Sequence, residues 1–214
     1  MMNTLPKLWG FIQDLVYSLR NNDRDVTRQW LAGGLRTLVY HRIEYRVYTR
    51  SLEDPFPTFE ARLPVTYHVA GPEDLPCLRG IVSPSEFAHF SKRLAHGRIC
   101  ILATYQRNIT AYIWSTNKVE FEVDNLELPL ELGDAYLDDA YTLPAHRRQG
   151  IQMALVLQLF RYLQERGFKR VVGIIAVDNI PSQKAADRLG FKQIGGLSFR
   201  RIFLKRDYRY HFQP

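Results

Sequence analysis

The sequence predicts an α+β fold with mixed strand order, and three observations carry that expectation. Apolar residues recur at helical spacing in several windows, and they alternate in strand fashion in others. Two of the strand-like runs, 99–105 and 109–115, follow each other closely enough to form a hairpin. With 214 residues the chain suits one domain with a sizeable core, and 46% apolar against 24% charged residues excludes wholesale disorder. No internal repeat is evident, and no apolar run approaches the roughly 18 residues of a membrane span.

Taken in order, Leu8, Ile12, Leu15, Val16 and Leu19 form one helical stripe, and Leu31, Leu35, Leu38 and Val39 form a second. Asn21, Asn22 and Asp23 separate the two helices, and Asp25 can cap the second. Arg20, Arg24, Arg28 and Arg36 leave a weak membrane-surface reading open, but the interspersed acids favour packing on the main body. The N-terminus lacks a small-x-small cleavage site, so a cytoplasmic address is expected. Alternation over 40–52 predicts a strand, and Asp54-Pro55-Phe56-Pro57 ends it in a linker. Residues 1–62 therefore read as an N-terminal helical extension with a strand and linker, and 63–214 as the main domain.

The main domain then predicts a strand over 65–69, helices over 72–82 and 85–95, and the hairpin. An acidic connection leads to a strand over 135–143. Next come a helix over 150–165, with Ile151, Leu155, Leu159 and Leu163 on one face, and a strand over 170–177. A short helix over 181–189 and strands over 192–194 and 198–205 close the pattern.

Charge is uneven: residues 1–62 carry net +2, 63–133 net −2, and 134–214 the full net +7. The basic last third fits a nucleic-acid face, a solvated surface or the site of a compact polyanion. Against it stands an acidic run, Glu120, Glu122, Asp124, Glu127, Glu131, Asp134, Asp138 and Asp139, readable as a solvated hairpin or as a pocket that attracts cations. Cys77 and Cys100 have no C-x-x-C or histidine partner, so neither a disulfide framework nor a metal site is expected, and both read as inert core residues.

The segment that carries chemistry runs from Leu143-Pro144 through His146-Arg147-Arg148-Gln149-Gly150-Ile151-Gln152-Met153. A strand end, a tight turn and a helix start leave unpaired N–H groups at the positive end of a helix dipole, which is an anion cradle. Gly150 removes a Cβ from that cradle, and Arg147 and Arg148 add charge. No G-K-[ST] or G-x-G-x-x-G pattern is present. Asn179-Ile180-Pro181-Ser182, closed by Gly190-Phe191, forms a second element.

Together these resemble the GNAT superfamily of acetyl-CoA-dependent N-acetyltransferases, over roughly residues 64–205. Pro144, Arg147, Arg148, Gly150 and Ile151 match its first signature, and Asn179, Ser182, Gly190 and Phe191 its second. The resemblance implies a central mixed, mostly antiparallel sheet with a splayed strand pair, flanked by helices. It implies acetyl-CoA as cosubstrate, with the pantetheine along Tyr141, Thr142 and Leu143, the pyrophosphate on the turn from Arg148 through Gln149, Gly150, Ile151 and Gln152 to Met153, and Asn179 and Ser182 by the cofactor arm. Two positions depart from the family: Gln152 stands where Gly or Ala is usual, and Ala186 where the family often has a tyrosine acid. Tyr208 or Tyr210 could replace that acid.

An amine attacks a thioester only when neutral, so a base is needed at neutral pH. Strand alternation puts Asp138 and Asp139 on opposite faces, and one of them should serve. His146 reads as a turn residue, and His68, His89 and His96 as structural. The expected partner is a small-molecule or peptide amine, with a cationic acceptor implied by the acidic run; a non-catalytic acyl-CoA sensor and a basic nucleic-acid or membrane-surface protein are the competing readings. The acceptor, the acyl length and the oligomeric state have no signature in the sequence.

Overall fold

The structure is a computed structural model that describes residues 40–79, 81–117, 130–202 and 205–212. The two helices expected over 1–39, and Glu120, Glu122, Asp124 and Glu127 of the acidic run, lie outside the described residues.

Among the described residues, eight strands form one sheet: β1 (Tyr40–Ser51), β2 (Thr66–Val69), β3 (Ile99–Tyr105), β4 (Asn108–Thr116), β5 (Asp134–Thr142), β6 (Arg170–Ala176), β7 (Lys192–Ile202) and β8 (Lys205–Phe212). Their order is β2-β3-β4-β5-β6-β1-β7-β8. Every neighbouring pair is antiparallel except β5 and β6. Among the described residues, four helices flank the sheet: α1 (Leu75–Leu78), α2 (Pro84–Ala95), α3 (Ile151–Glu165) and α4 (Ile180–Arg188).

The strand expected between the N-terminal helices and the linker is an interior strand, held between β6 and β7. A single sheet therefore spans the expected boundary near residue 62. Other expectations change in extent. The helix expected over 72–82 is a single tight turn followed by α1, because Pro72 and Pro76 both fall where they can only start a helix and residues 79 and 82 form a bridge. The two strands expected over 192–194 and 198–205 are one strand, β7. Gly195 and Gly196 read as a break, yet they pair with Val47 and Arg46, and a Cβ on Gly196 would stand 3.4 Å from the Tyr45 carbonyl. β8 was not expected at all.

The main core lies between α3 and the sheet. Ile151, Leu155, Leu159 and Leu163 are each at most 1% exposed, as their spacing requires, against Ile101, Ala111, Ile113 and Ala135. Each such side chain contributes about 1.5–3 kcal/mol on burial. A second core fills the opposite face, where Leu78, Val82 and Phe90 cover Tyr112 and Trp114. α2 is started by a capping box between Ser83 and Glu86, with Pro84 at its first position.

Residues 52–63 form a strap along α3. It begins at the helix's C-terminal end, where Leu52 N–H donates to the Lys169 carbonyl and Gln164 Nε2 donates to the Leu52 carbonyl. Phe56 packs on Phe160 midway, and the strap ends at the helix's N-terminal turn, where Arg62 N–H donates to the Gln149 carbonyl over 2.8 Å. Arg50 fastens its start: only 4% exposed, it lies over the rings of Phe56 and Phe160 and donates to the carbonyls of Ser51 and Pro55.

Candidate active site

β5 and β6 begin side by side and then part. Their parallel register runs from Asp134 opposite Arg170 to Leu137 opposite Gly173 and stops there. The root of this fork is pinned by two hydrogen bonds from Arg170 to Asp134, at 2.8 and 2.6 Å. Burial alone would raise the Asp134 carboxyl, but those bonds, the Glu131 N–H and the Arg170 charge outweigh it and hold it below the ordinary range. Beyond Leu137, β5 stays paired to β4, through Ala140, Tyr141 and Thr142, and among the described residues no strand pairs with its other edge.

A cavity of about 470 Å³ fills the fork. Leu137, Asp138 and Ala140 line it from β5, Gly173 and Ala176 from β6, Gln152 and Met153 from α3, and Asn179, Ser182 and Ala186 from α4. The structure thus brings together Asp138, Gln152, Met153, Asn179 and Ser182 of the expected site residues. It does not bring Tyr208: that residue pairs with Phe199 on the edge strand β8, three strand spacings or about 14 Å from β6, and its side chain is outside the described residues, as is that of Tyr210.

At the mouth of the fork, β5 leads through Leu143 and a tight turn at Pro144–His146 into α3. The N–H groups of residues 148–153 donate to no acceptor among the described residues, as expected of a helix start. Arg148, at φ 63°, and Gln152 are exposed beside them. Arg147, the other expected cation of the turn, has its Nε donating to the Thr142 carbonyl and its guanidinium over the Tyr141 ring, so it ties the end of β5 to the turn. Thr142 Oγ1 is buried at the same place with no partner. Gly150 also has another reason to be glycine. Its φ is +75°, and a Cβ would meet the Phe59 ring of the strap at 2.8 Å, so the space that glycine leaves is taken by the protein itself.

The two aspartates depart from strand alternation. Between Ile113 and Ser115 of β4 the register skips a residue on β5, so Asp138 and Asp139 share one bulge. Leu137 and Ala140 both pack toward α3, which leaves both carboxylates on the side of α2. Arg93 of α2 reaches Asp138 at 3.5 Å and Asp139 at 3.4 Å, and Arg98 reaches Asp138 at 3.4 Å. Asp139 is 45% exposed, yet it is crowded on its other sides by protein. That desolvation pushes its carboxyl above the ordinary range, Arg93 pulls it back, and Asp138 and Glu86 push it up further. Burial, with Asp139 next in size, also raises the Tyr112 phenol and the Cys100 thiol on the same face. Cys77, expected in the core, is exposed on α1.

On the opposite wall, Asn179 caps α4 by accepting from the Ser182 N–H. Gln183, which sequence reasoning passed over, is 6% exposed and donates to both the Ala176 and Val177 carbonyls, which fixes α4 against the end of β6. Its place in a helix one turn after the Asn179 cap was the available signal.

Among the described residues, an open strand edge leads from a forked sheet to a helix-start N–H cradle, an arrangement whose geometry suits an extended, anion-ended ligand. The chain belongs to the acetyltransferase (GNAT) family, whose model matches residues 69–191. Its fold is similar to that of a GCN5-related N-acetyltransferase from Sphaerobacter thermophilus, at 15% identity and TM-score 0.57, over 82% of this chain and 56% of that one. It is also similar to a GNAT-family acetyltransferase from Novosphingobium aromaticivorans, at 12% identity and TM-score 0.52, over 74% of this chain and 63% of that one. A third structure, an aminoglycoside N-acetyltransferase in complex with CoA, matches at 17% identity and TM-score 0.47, over 60% and 92%. The chain spans less than two thirds of the first two proteins. Among the described residues no helix is long and apolar enough to cross a membrane, and no cluster of metal-ligating side chains occurs.

Proposed function

We propose that the chain transfers an acetyl group from acetyl-CoA to a primary amine by direct attack in a ternary complex. The observation that carries this reading is the unpaired edge of β5, which runs from the fork at Leu137 to the N–H groups of residues 148–153. An arm with amide groups would complete that edge as an extra strand, and phosphates would meet the helix start and Arg148. Bound acetyl-CoA supplies an activated acyl group. The chain's own part is to position it, to expose its carbonyl to the α2 side and to take a proton from the amine.

Asp139 is the residue we assign to that proton. It is exposed on the α2 side at the bulge, where the open edge begins, and its raised carboxyl is a stronger base than an ordinary aspartate. Arg93 holds it in place and favours its ionised form against the desolvation. Asp138, gripped by Arg93 and Arg98, orients the bulge. Because these arginines offset the aspartates, the acceptor is recognised as an amine at one point instead of being drawn by a broad negative field. The reading of a non-catalytic acyl-CoA sensor draws on Ala186, which offers no proton donor at that point of the cavity wall.

Calorimetry with CoA, and thiol release with a panel of amines, test the proposal. Arg148→Glu should weaken CoA binding at least tenfold while leaving the thermal midpoint unchanged. Gly150 is unsuited to this test, since any side chain there strains the turn and displaces Phe59. CoA binding with no thiol release for any amine would favour the sensor; equal CoA affinity in Arg148→Glu would remove the cradle from the site.

A further inference from the structure

Beyond β6 the cavity reaches β1, and one residue there has no explanation in packing. Tyr48 is 3% exposed and lines the cavity. Its hydroxyl hydrogen-bonds to no described residue, although it is not among the polar atoms sealed in protein. A buried tyrosine hydroxyl ordinarily finds a partner, because leaving it unpaired forfeits the hydration that it had in the unfolded chain. The cavity that Tyr48 lines leaves room for such a partner.

Its position follows from register. Tyr48 pairs with Gly173, and Gly173 pairs with Leu137, the last rung before the strands part. The face is fixed too: Arg50, two residues on and so on the same side of β1, lies over Phe160 of α3. A Cβ on Gly173 would stand 3.7 Å from the Leu137 Cβ, so the row Tyr48, Gly173, Leu137 has side chains at both ends and a gap in the middle. That gap is the inner end of the fork, and Ala186 lines the same cavity from α4 without a polar group. Among the other cavity-lining residues, Asp138 is paired with Arg93 and Arg98, Asn179 caps α4, and Gln152 is exposed at the mouth. Tyr45 lies on the other face of β1, packed beside Val47 and Leu197.

We propose that the Tyr48 hydroxyl is the donor that meets the sulfur end of the cofactor at the inner end of the fork and gives it a proton as it leaves. This rests on the acetyl-CoA reading above. A ligand whose phosphates sit at the start of α3 and whose arm follows β5 inward has its reactive end at the last rung, across the gap from Tyr48. When the amine nitrogen bonds to the acyl carbon, the carbon–sulfur bond breaks and its electron pair stays on sulfur. Sulfur takes the Tyr48 proton, and the phenolate is restored by the proton that the nitrogen sheds, carried through Asp139 and solvent. The result is an amide and a free thiol, with no other reactant.

The test compares CoA with desulfo-CoA, which lacks only the sulfur, by calorimetry on the full chain and on Tyr48→Phe, a change that keeps the ring. The wild type should prefer CoA by about 3- to 10-fold, the worth of one hydrogen bond, and the variant should show a ratio near one. Ultraviolet titration of bound CoA gives a second readout: its thiolate should appear at lower pH on the wild type than on Tyr48→Phe, since the hydroxyl stabilises the anion. Gly173→Ala, which fills the gap with a methyl in ordinary contact with Leu137, should weaken acetyl-CoA several-fold and leave adenosine 3′,5′-bisphosphate unaffected. If the wild type binds CoA but shows the same ratio and the same thiolate titration as the variant, the assignment to Tyr48 is overturned alone. If the wild type does not bind CoA, the cofactor reading falls and takes this role with it.

Discussion

At the scale of single residues, the two acids that bracket the fork respond to pH in opposite senses. Asp139 has a raised carboxyl, so its ionised form costs folding free energy, and any stability linked to its titration is present at low pH and lost as pH rises through its folded value. Asp139→Asn should therefore leave the thermal midpoint at pH 7 unchanged or higher, while kcat falls about 10²-fold and the deficit shrinks at alkaline pH as free amine accumulates. Wild-type kcat across that range would exclude Asp139 as the base. Asp134 is the reverse case: its carboxyl is lowered, so its contribution is present above the unfolded value and lost as pH falls through the folded one. Asp134→Asn should cost about 1.5–3 kcal/mol by urea denaturation at pH 7, and the difference from wild type should fade in acid. The turn and the helix start with its free N–H groups were legible because their residues are contiguous, from Arg148 to Met153. Arg93 was not, since its partners lie about 45 residues away and meet it only through a bulge that alternation cannot foresee.

Among elements, the strap and α3 depend on each other. Arg50 is held by two aromatic faces and two carbonyls, and lysine offers neither the planar fork nor its stacking. Arg50→Lys and Arg50→Ala should both destabilise the chain, by about 2–4 kcal/mol, with the lysine form recovering little. Near-wild-type stability of Arg50→Lys would mean that charge alone matters there. Gly150→Ala should lower the midpoint as well, and Phe59→Ala should relieve part of that loss, because strain from the ring is removed while the unfavourable φ remains. Most elements were readable from period and punctuation, α3 best of all, since its four buried residues fall on one stripe. β8 was hidden because Lys205, Arg206, Asp207 and Arg209 mask its alternation, and an edge strand needs no apolar face to pair.

For the whole molecule, the placement of β1 decides what can be removed. A chain that begins at residue 52 would lose an interior strand and expose ladder groups on both β6 and β7, so it should fail to melt cooperatively and should be degraded readily in limited proteolysis. A cooperative transition in that fragment would show that the two halves of the sheet stand alone. The strand itself was legible in sequence, but its neighbours were not: alternation over 40–52 identifies a strand and carries no information about which of seven others it joins. The same placement governs how the chain comes into being. β1 leaves the ribosome early, yet its partners lie at 170–176 and 192–202, so at about 5–20 residues per second it waits roughly 6–30 s with both edges unsatisfied. Pairs so distant in sequence make the last step of folding slow. Since Tyr48 rides on that strand, the cavity acquires its inner wall only after residues 170–202 have been made, and a nascent chain stalled before residue 170 has no fork at all.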